Sequence, residues 1–166
     1  APVTIVEFAD FQCPHCKAAA GLMKTIQSKF GDDVVHYFKH YPLPGHPKAR
    51  LAAQAAVAAH QQDKFWPMHD LIFKHQRSLS SDKLVRFARQ LGMNIGKFKK
   101  DLQSKEVTQA VAANKQEGSR VGVKGTPAIF INGQRYMGAQ TEKGLTEAIR
   151  SALEASKSKD EGSSDE

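Results

Sequence analysis

Residues 10–16 read Asp-Phe-Gln-Cys-Pro-His-Cys, and Cys13 and Cys16 are the only two cysteines among 166 residues. Two thiols this close can clamp a metal, staple a turn or exchange electrons with other thiols. A zinc clamp needs four ligands in a tetrahedron. Histidines such as His15, His36, His40 and His46 must then supply the rest, and their spacing matches no finger or ribbon. A c-type haem requires His directly after the second cysteine, where this chain has Lys17. A bridge closing so small a ring removes little chain entropy and stabilises weakly. It does place two thiols for easy exchange, and redox chemistry accounts best for where they lie.

That position follows from the flanking patterns. Val3 to Ala9, VTIVEFA, is a β-branched run suited to a strand buried on both faces. After the cysteines the period changes: Cys16, Ala19, Ala20, Met23, Ile26 and Phe30 recur at helical spacing, and Gly31 stops the helix. Pro14 fits the first helical turn, where its missing N–H costs nothing. Cys13 thus sits at a helix mouth, where the dipole and free N–H groups favour a thiolate, the species that attacks disulfides. The expectation is an exposed, low-pKa nucleophile at Cys13 and a buried resolving thiol at Cys16. His15, between them, offers positive charge or a hydrogen bond to the Cys13 sulfur. Stabilising the thiolate stabilises the reduced form, so the disulfide becomes an oxidant.

Further elements must hold this junction. Residues 34–41, VVHYFKHY, read as a second strand ended by Pro42 and Pro44-Gly45, which makes a parallel βαβ unit with a right-handed crossover. A long helical stretch follows. It comprises an alanine-rich segment at 50–62, a face marked by Phe65, Met68 and Ile72, and a helix capped by Ser81 and ended by Gly92. Two more carry Ile95, Phe98 and Leu102, then Val107, Ala110 and Val111. Pro127 to Ile131, Asn132-Gly133 and Gln134 to Gly138 form a hairpin with a type I′ turn. Thr141 caps a last helix that buries Leu145, Ala148, Ile149 and Ala152. The order is β-α-β, helical insertion, β-β-α: one domain over 1–155 with an insertion at about 46–120. The tail at 156–166, SKSKDEGSSDE, has no apolar periodicity and reads as disordered.

Bulk properties narrow the function classes. At 40% hydrophobic and 25% charged the chain is an ordinary globular sequence. No apolar run approaches the ~20 residues of a membrane span. Net charge +7 and a pI of about 9.5 invite a nucleic-acid reading, but the basic residues are scattered and form no recognised binding motif. Two cysteines are too few for a disulfide-rich scaffold. The chain opens at Ala1-Pro2 without a basic-then-apolar signal, as expected of a processed mature form or of a domain of something longer.

EFADFQCPHC after a strand, the helical insertion, and VGVKGTPAIFING about 110 residues later together resemble the DsbA-like disulfide oxidoreductases, a branch of the thioredoxin superfamily. The similarity spans nearly all of residues 3–155 and implies a thioredoxin-like α/β fold with a four-stranded mixed sheet. By that resemblance Cys13 and Cys16 are the redox-active pair of a Cys-Pro-His-Cys site. Thr126-Pro127 matches the family's cis-proline dipeptide, which faces the cysteines and offers backbone hydrogen bonds to an extended substrate. Glu7 interrupts an apolar strand six residues before Cys13, where the family often has a buried acid. A buried carboxylate can exchange protons as Cys16 is attacked or released; otherwise Glu7 is a strand-end residue reaching solvent or His36. Phe11, Trp66 and Met68 line a substrate groove or belong to the core. His40-Tyr41-Pro42-Leu43 also resembles a family segment, without assigned chemistry.

The implied activity is oxidation of protein thiols, with no cofactor beyond the cysteine pair. A DsbB-like membrane oxidase is the implied redox partner, and the bacterial periplasm or cell envelope the implied compartment. An isomerase or reductase of the same fold is one alternative, since the residue before the proline tunes redox behaviour in this family. A module that binds copper through Cys13, Cys16 and a histidine is another.

Overall fold

A computed structural model describes the backbone of residues 1–164 and the side chains of residues 1–158. Strand β1 (Val3–Ala9) lies inside a four-stranded sheet of order β2-β1-β3-β4. It runs parallel to β2 (Val34–His40) and antiparallel to β3 (Ala128–Ile131), which turns through Asn132-Gly133 into β4 (Gln134–Arg135). Both turn residues have positive φ, +48° and +81°, as a type I′ hairpin requires. The Asn132 side chain also accepts the Thr4 N–H at 2.8 Å, which ties the hairpin to the start of β1.

Helix α1 (Pro14–Phe30) makes the crossover between β1 and β2, burying Cys16, Ala19, Met23 and Ile26. It ends where Gly31 adopts φ +53°, a conformation glycine takes without a Cβ penalty. Met23 and Ile26 pack on Val3, Ile5, Ile129 and Ile131, together with Leu145 and Ile149 of α7 (Glu142–Ser164). This is the sheet's own core.

A second core belongs to the insertion. Helix α2 (Ala49–His60) buries seven alanines, and their small side chains let neighbouring helices approach closely. Around it pack α3 (Phe65–Lys74), α4 (Ser81–Gln90), α5 (Ile95–Leu102) and α6 (Lys105–Arg120). Ser80, Asn94 and Ser104 cap the last three by accepting the N–H of Lys83, Lys97 and Val107. Phe11, Cys13 and Cys16 belong to this second cluster. The cysteine pair therefore sits where the insertion meets the sheet.

Three boundaries differ from the sequence expectation. The cap of α4 is Ser80 rather than Ser81, because Ser80 keeps extended backbone while its oxygen takes the Lys83 N–H. Strand β4 stops at Arg135 instead of reaching Gly138, as the chain folds the Tyr136 hydroxyl onto the Ala139 carbonyl. The segment expected to be disordered from 156 continues α7 as far as Ser164. No proline interrupts it, and Lys and Glu are good helix formers. The last two residues of that expected tail lie outside the described residues.

Candidate active site

The turn that presents the cysteines is built on Asp10. Its carbonyl accepts the Cys13 N–H at 3.1 Å, and its carboxylate Oδ1 accepts the Gln12 N–H at 2.7 Å. This Asx turn delivers Cys13 to the N-cap of α1 in extended conformation. Pro14 follows at the start of the helix, and the Cys13 carbonyl accepts the N–H groups of Cys16 and Lys17 at 3.1 and 3.2 Å. Both cysteines are free thiols.

Cys13 is not exposed as the sequence suggests: only 5% of it is accessible, and none of Cys16 is. An isolated strand-to-helix turn leaves its first cysteine open to solvent, but here two long-range elements close over it. Gln76, in the turn after α3, is itself buried and donates its amide at 2.8 Å to both the Phe11 and the Cys13 carbonyls. On another side the Cys13 thiol donates to the Thr126 carbonyl at 3.7 Å. The Pro14 and His15 side chains are exposed.

Burial pushes the Cys16 thiol far above the ordinary cysteine range. The Asp10 N–H, 3.4 Å from its sulfur, and the nearby Thr126 hydroxyl act against that, while Cys13 adds to it. The Thr126 hydroxyl is buried and makes no hydrogen bond of normal geometry. It lies near the Cys16 sulfur. The Thr126–Pro127 peptide bond is cis. The loop carrying it is held from below: the Tyr41 hydroxyl donates to the Val123 carbonyl at 2.8 Å, and the Tyr41 ring packs against Gly118 and Phe8.

Glu7 shares the face of β1 that carries Val3, Ile5 and Ala9, the face covered by α1. It is wholly buried, and its Oε1 lies 2.8 Å from His36 Nε2. Glu7 is thus a buried acid whose side-chain partner is His36. Its Oε2 has no partner. His36 is 9% accessible through its side chain and packs at a tilt against the half-exposed Trp66, ring centroids 5.2 Å apart.

Phe11 and Met68 are core residues, at 1% and 0% exposure, so of these three only Trp66 lies at the surface. Phe11 stacks on Phe38 at 5.2 Å and meets Phe73 at 4.8 Å. His40 and His69 are packed into the same group. Burial, with the nearby His69 and His60, pulls His40 down to about 3, and burial lowers His69 as well. Among the described residues, no group of three or more His, Cys, Asp or Glu side chains is arranged to hold a metal ion.

The structure brings Cys13, Cys16 and Thr126 into one place, with Pro14 and His15 on its outer rim and Glu7 on the sheet beneath α1. Asp10, Gln76 and Tyr41 were not legible as site residues. Asp10 carried one usable signal, an Asx-turn acid in front of a helix start. Gln76 and Tyr41 reach the site from 63 positions beyond Cys13 and 82 positions before Val123, and no local pattern marks them.

A thioredoxin family model matches residues 1–151. The Na(+)/H(+) antiporter NhaA 3 of Salinispora tropica is 36% identical over 163 residues, which cover 98% of this chain and 25% of that protein. The chain thus spans about a quarter of the length of the curated relatives it matches. Among solved structures, oxidised BdbD from Bacillus subtilis aligns with a TM-score of 0.81 at 26% identity, over 93% of this chain and 89% of that one. The thiol-disulfide exchange protein alpha-DsbA2 from Wolbachia pipientis aligns with a TM-score of 0.80 at 22% identity, over 90% and 81%. No helix among the described residues is long and apolar enough to cross a membrane.

Proposed function

The chain belongs to the thioredoxin family and has the DsbA-like form of its fold, and from that premise we propose that it is a thiol-disulfide oxidoreductase that introduces disulfide bonds into protein substrates. One observation carries this reading. Two thiols of unequal burial sit at the N-terminus of α1, with the Thr126 carbonyl 3.7 Å from the outer sulfur.

In the oxidised enzyme a substrate thiolate attacks the Cys13 sulfur. The Cys13–Cys16 bond breaks, a mixed disulfide forms at Cys13, and Cys16 leaves as a thiolate. A second substrate thiolate then attacks the substrate's sulfur in the mixed disulfide and displaces Cys13. The substrate leaves with its disulfide and the enzyme is left with two thiols. The α1 dipole favours negative charge on Cys13. The exposed His15 can offer a hydrogen bond or positive charge beside it, and Pro14 starts the helix that creates the dipole. The Thr126 hydroxyl is a donor ready for sulfur charge at Cys16. Glu7, with His36 as its hydrogen-bonded way out, supplies and takes up the proton of Cys16. The backbone of Thr126 and Pro127 pairs with an extended substrate chain.

A membrane-bound, DsbB-like oxidase returns the pair to the disulfide, and the setting is the bacterial periplasm or cell envelope, where disulfides persist. We take residues 1–155 as the catalytic domain and about 46–120 as the insertion that covers its site. Equilibration with reduced and oxidised glutathione, followed by refolding of a reduced disulfide-containing protein, tests the reading. A potential above that of glutathione together with net oxidation of the substrate supports it. A more reducing potential makes the protein a reductant and reverses the direction. Stoichiometric copper binding without exchange overturns it.

A further inference from the structure

We propose that Asp10 is the positioning residue of the redox centre and that His46 is the side chain that holds it. The inference rests on the thiol-disulfide reading above. Asp10 is 1% exposed, and all four of its polar atoms are engaged. Its carbonyl takes the Cys13 N–H and its Oδ1 the Gln12 N–H, which together shape the turn before α1. Its own N–H lies 3.4 Å from the Cys16 sulfur. Its Oδ2 accepts the Leu43 N–H at 2.7 Å and lies 2.9 Å from His46 Nδ1, both in the connection between β2 and α2. The neighbouring Lys48 N–H donates to the Gln12 side chain at 2.7 Å, a second tie between the same two segments.

One residue thus touches both cysteines through its backbone and anchors that backbone through its side chain. The consequence falls on one step. When a thiol opens the disulfide at Cys13, the electron pair of the broken S–S bond stays on Cys16, in a site where burial disfavours charge. The Asp10 N–H is the backbone donor within reach of that sulfur, and preorganised donors aimed at developing charge lower barriers most in buried sites. The Ala9–Asp10 peptide that carries this N–H is tied to the same segment at its other end, where the Tyr41 N–H donates to the Ala9 carbonyl at 2.9 Å, and loss of the Asp10 side-chain ties lets the N–H tilt away from the sulfur. The segment Tyr41-Pro42-Leu43 through His46 then has a function: it is the wall against which the turn is braced.

The test is the second-order rate constant with which reduced glutathione opens the Cys13–Cys16 disulfide, measured on folded protein. His46 is partly exposed, with 31% of its side chain accessible, so substitutions there leave the core untouched. His46→Ala and Asp10→Ser are expected to slow opening at least tenfold. His46→Gln, whose amide can still donate to Oδ2, is expected to recover most of that loss. Wild-type rates in His46→Ala and Asp10→Ser, whatever their melting temperatures, overturn the proposal, as does an equal loss in His46→Ala and His46→Gln. The wild-type rate relative to a simple strain-free disulfide decides the oxidoreductase reading separately. The ratio of variant to wild type decides the role of Asp10.

Discussion

Replacing Glu7 separates what the acid does for folding from what it does for exchange. Its Oε2 is buried without a partner, and an unsatisfied buried acceptor costs about 1–3 kcal/mol. Its Oε1 contact with His36 at 2.8 Å returns a net ~1 kcal/mol if neutral and up to about 3 kcal/mol if charged. Removing one member of a buried ion pair usually costs about 3–5 kcal/mol, because a charge is stranded. His36 escapes that cost, since an imidazole can shed its proton and this one already touches solvent. Leu also adds apolar contact with the surrounding core, worth about 1 kcal/mol for each buried methylene-sized group. The sum favours Glu7→Leu by about 1–2 kcal/mol, or roughly 2–8 °C in Tm for a chain of this size. Exchange should slow if Glu7 carries the Cys16 proton as proposed. Glu7→Gln keeps a hydrogen bond to His36, so its stability should stay within about 1 kcal/mol of wild type while exchange still slows. Urea unfolding of the reduced proteins, paired with exchange rates from pH 5 to 9, reads both effects. A Glu7→Leu protein destabilised by more than about 1 kcal/mol would show that Glu7 serves folding. Unchanged exchange in both variants would remove it from the chemistry.

Iodoacetamide should modify Cys13 before Cys16 in the reduced protein, because burial holds the Cys16 proton in place; peptide mapping that finds Cys16 labelled first would reverse the assignment. His15→Ser should make the disulfide less oxidising by about 30 mV, equivalent to ~1.4 kcal/mol for a two-electron couple, and a glutathione equilibrium unchanged within error would leave His15 without a redox role. Gly118→Ala adds a Cβ 2.8 Å from the Tyr41 ring and 3.0 Å from Phe8; overpacking of about 1–3 kcal/mol exceeds the ~1 kcal/mol gain in helix propensity, so a net loss near 1 kcal/mol is expected, and a stabilised variant would mean that Tyr41 moves freely. His40 titrates at about 3 in the fold against 6.5 as the ordinary value, so between those pH values the unfolded chain binds the extra proton. Stability should therefore fall as pH drops from about 6.5 toward 3, by a few kcal/mol, and His40→Leu should flatten that slope; parallel urea midpoints for the two proteins across that range would refute it.

The strand-helix junction, the hairpin and the helical insertion were legible because each has a short-range cause. Alternation or β-branching marks β1, Gly31 marks the end of α1, and Asn132-Gly133 marks the turn. The same locality explains the misreading of Cys13. Its helix-mouth position is a local fact, whereas its burial is set by Gln76 and by the Thr126 loop, 113 positions away. Glu7 divided between two readings for a related reason: strand alternation gives its face, but only the pairing of β1 with β2 places His36 on the same face one residue pair away, beside Ile5.

This division has a chemical consequence for the site. If Cys13 is the nucleophile, as proposed, its 5% exposure favours a partner that presents its thiol on a segment able to leave its own fold and lie along the Thr126–Pro127 backbone. An unfolded or partly folded chain meets that condition, since its backbone donors and acceptors are free to pair with a strand-like edge. On the proposed reading, the burial that the sequence did not reveal would act as a selectivity device, with the insertion that contributes Gln76 favouring extended substrates over compact ones. Oxidation of the same cysteine-containing chain in its unfolded and folded states measures this directly. The unfolded form should react faster by much more than the difference in its own thiol exposure accounts for. Equal rates after that correction would mean that the covering over Cys13 opens freely in solution.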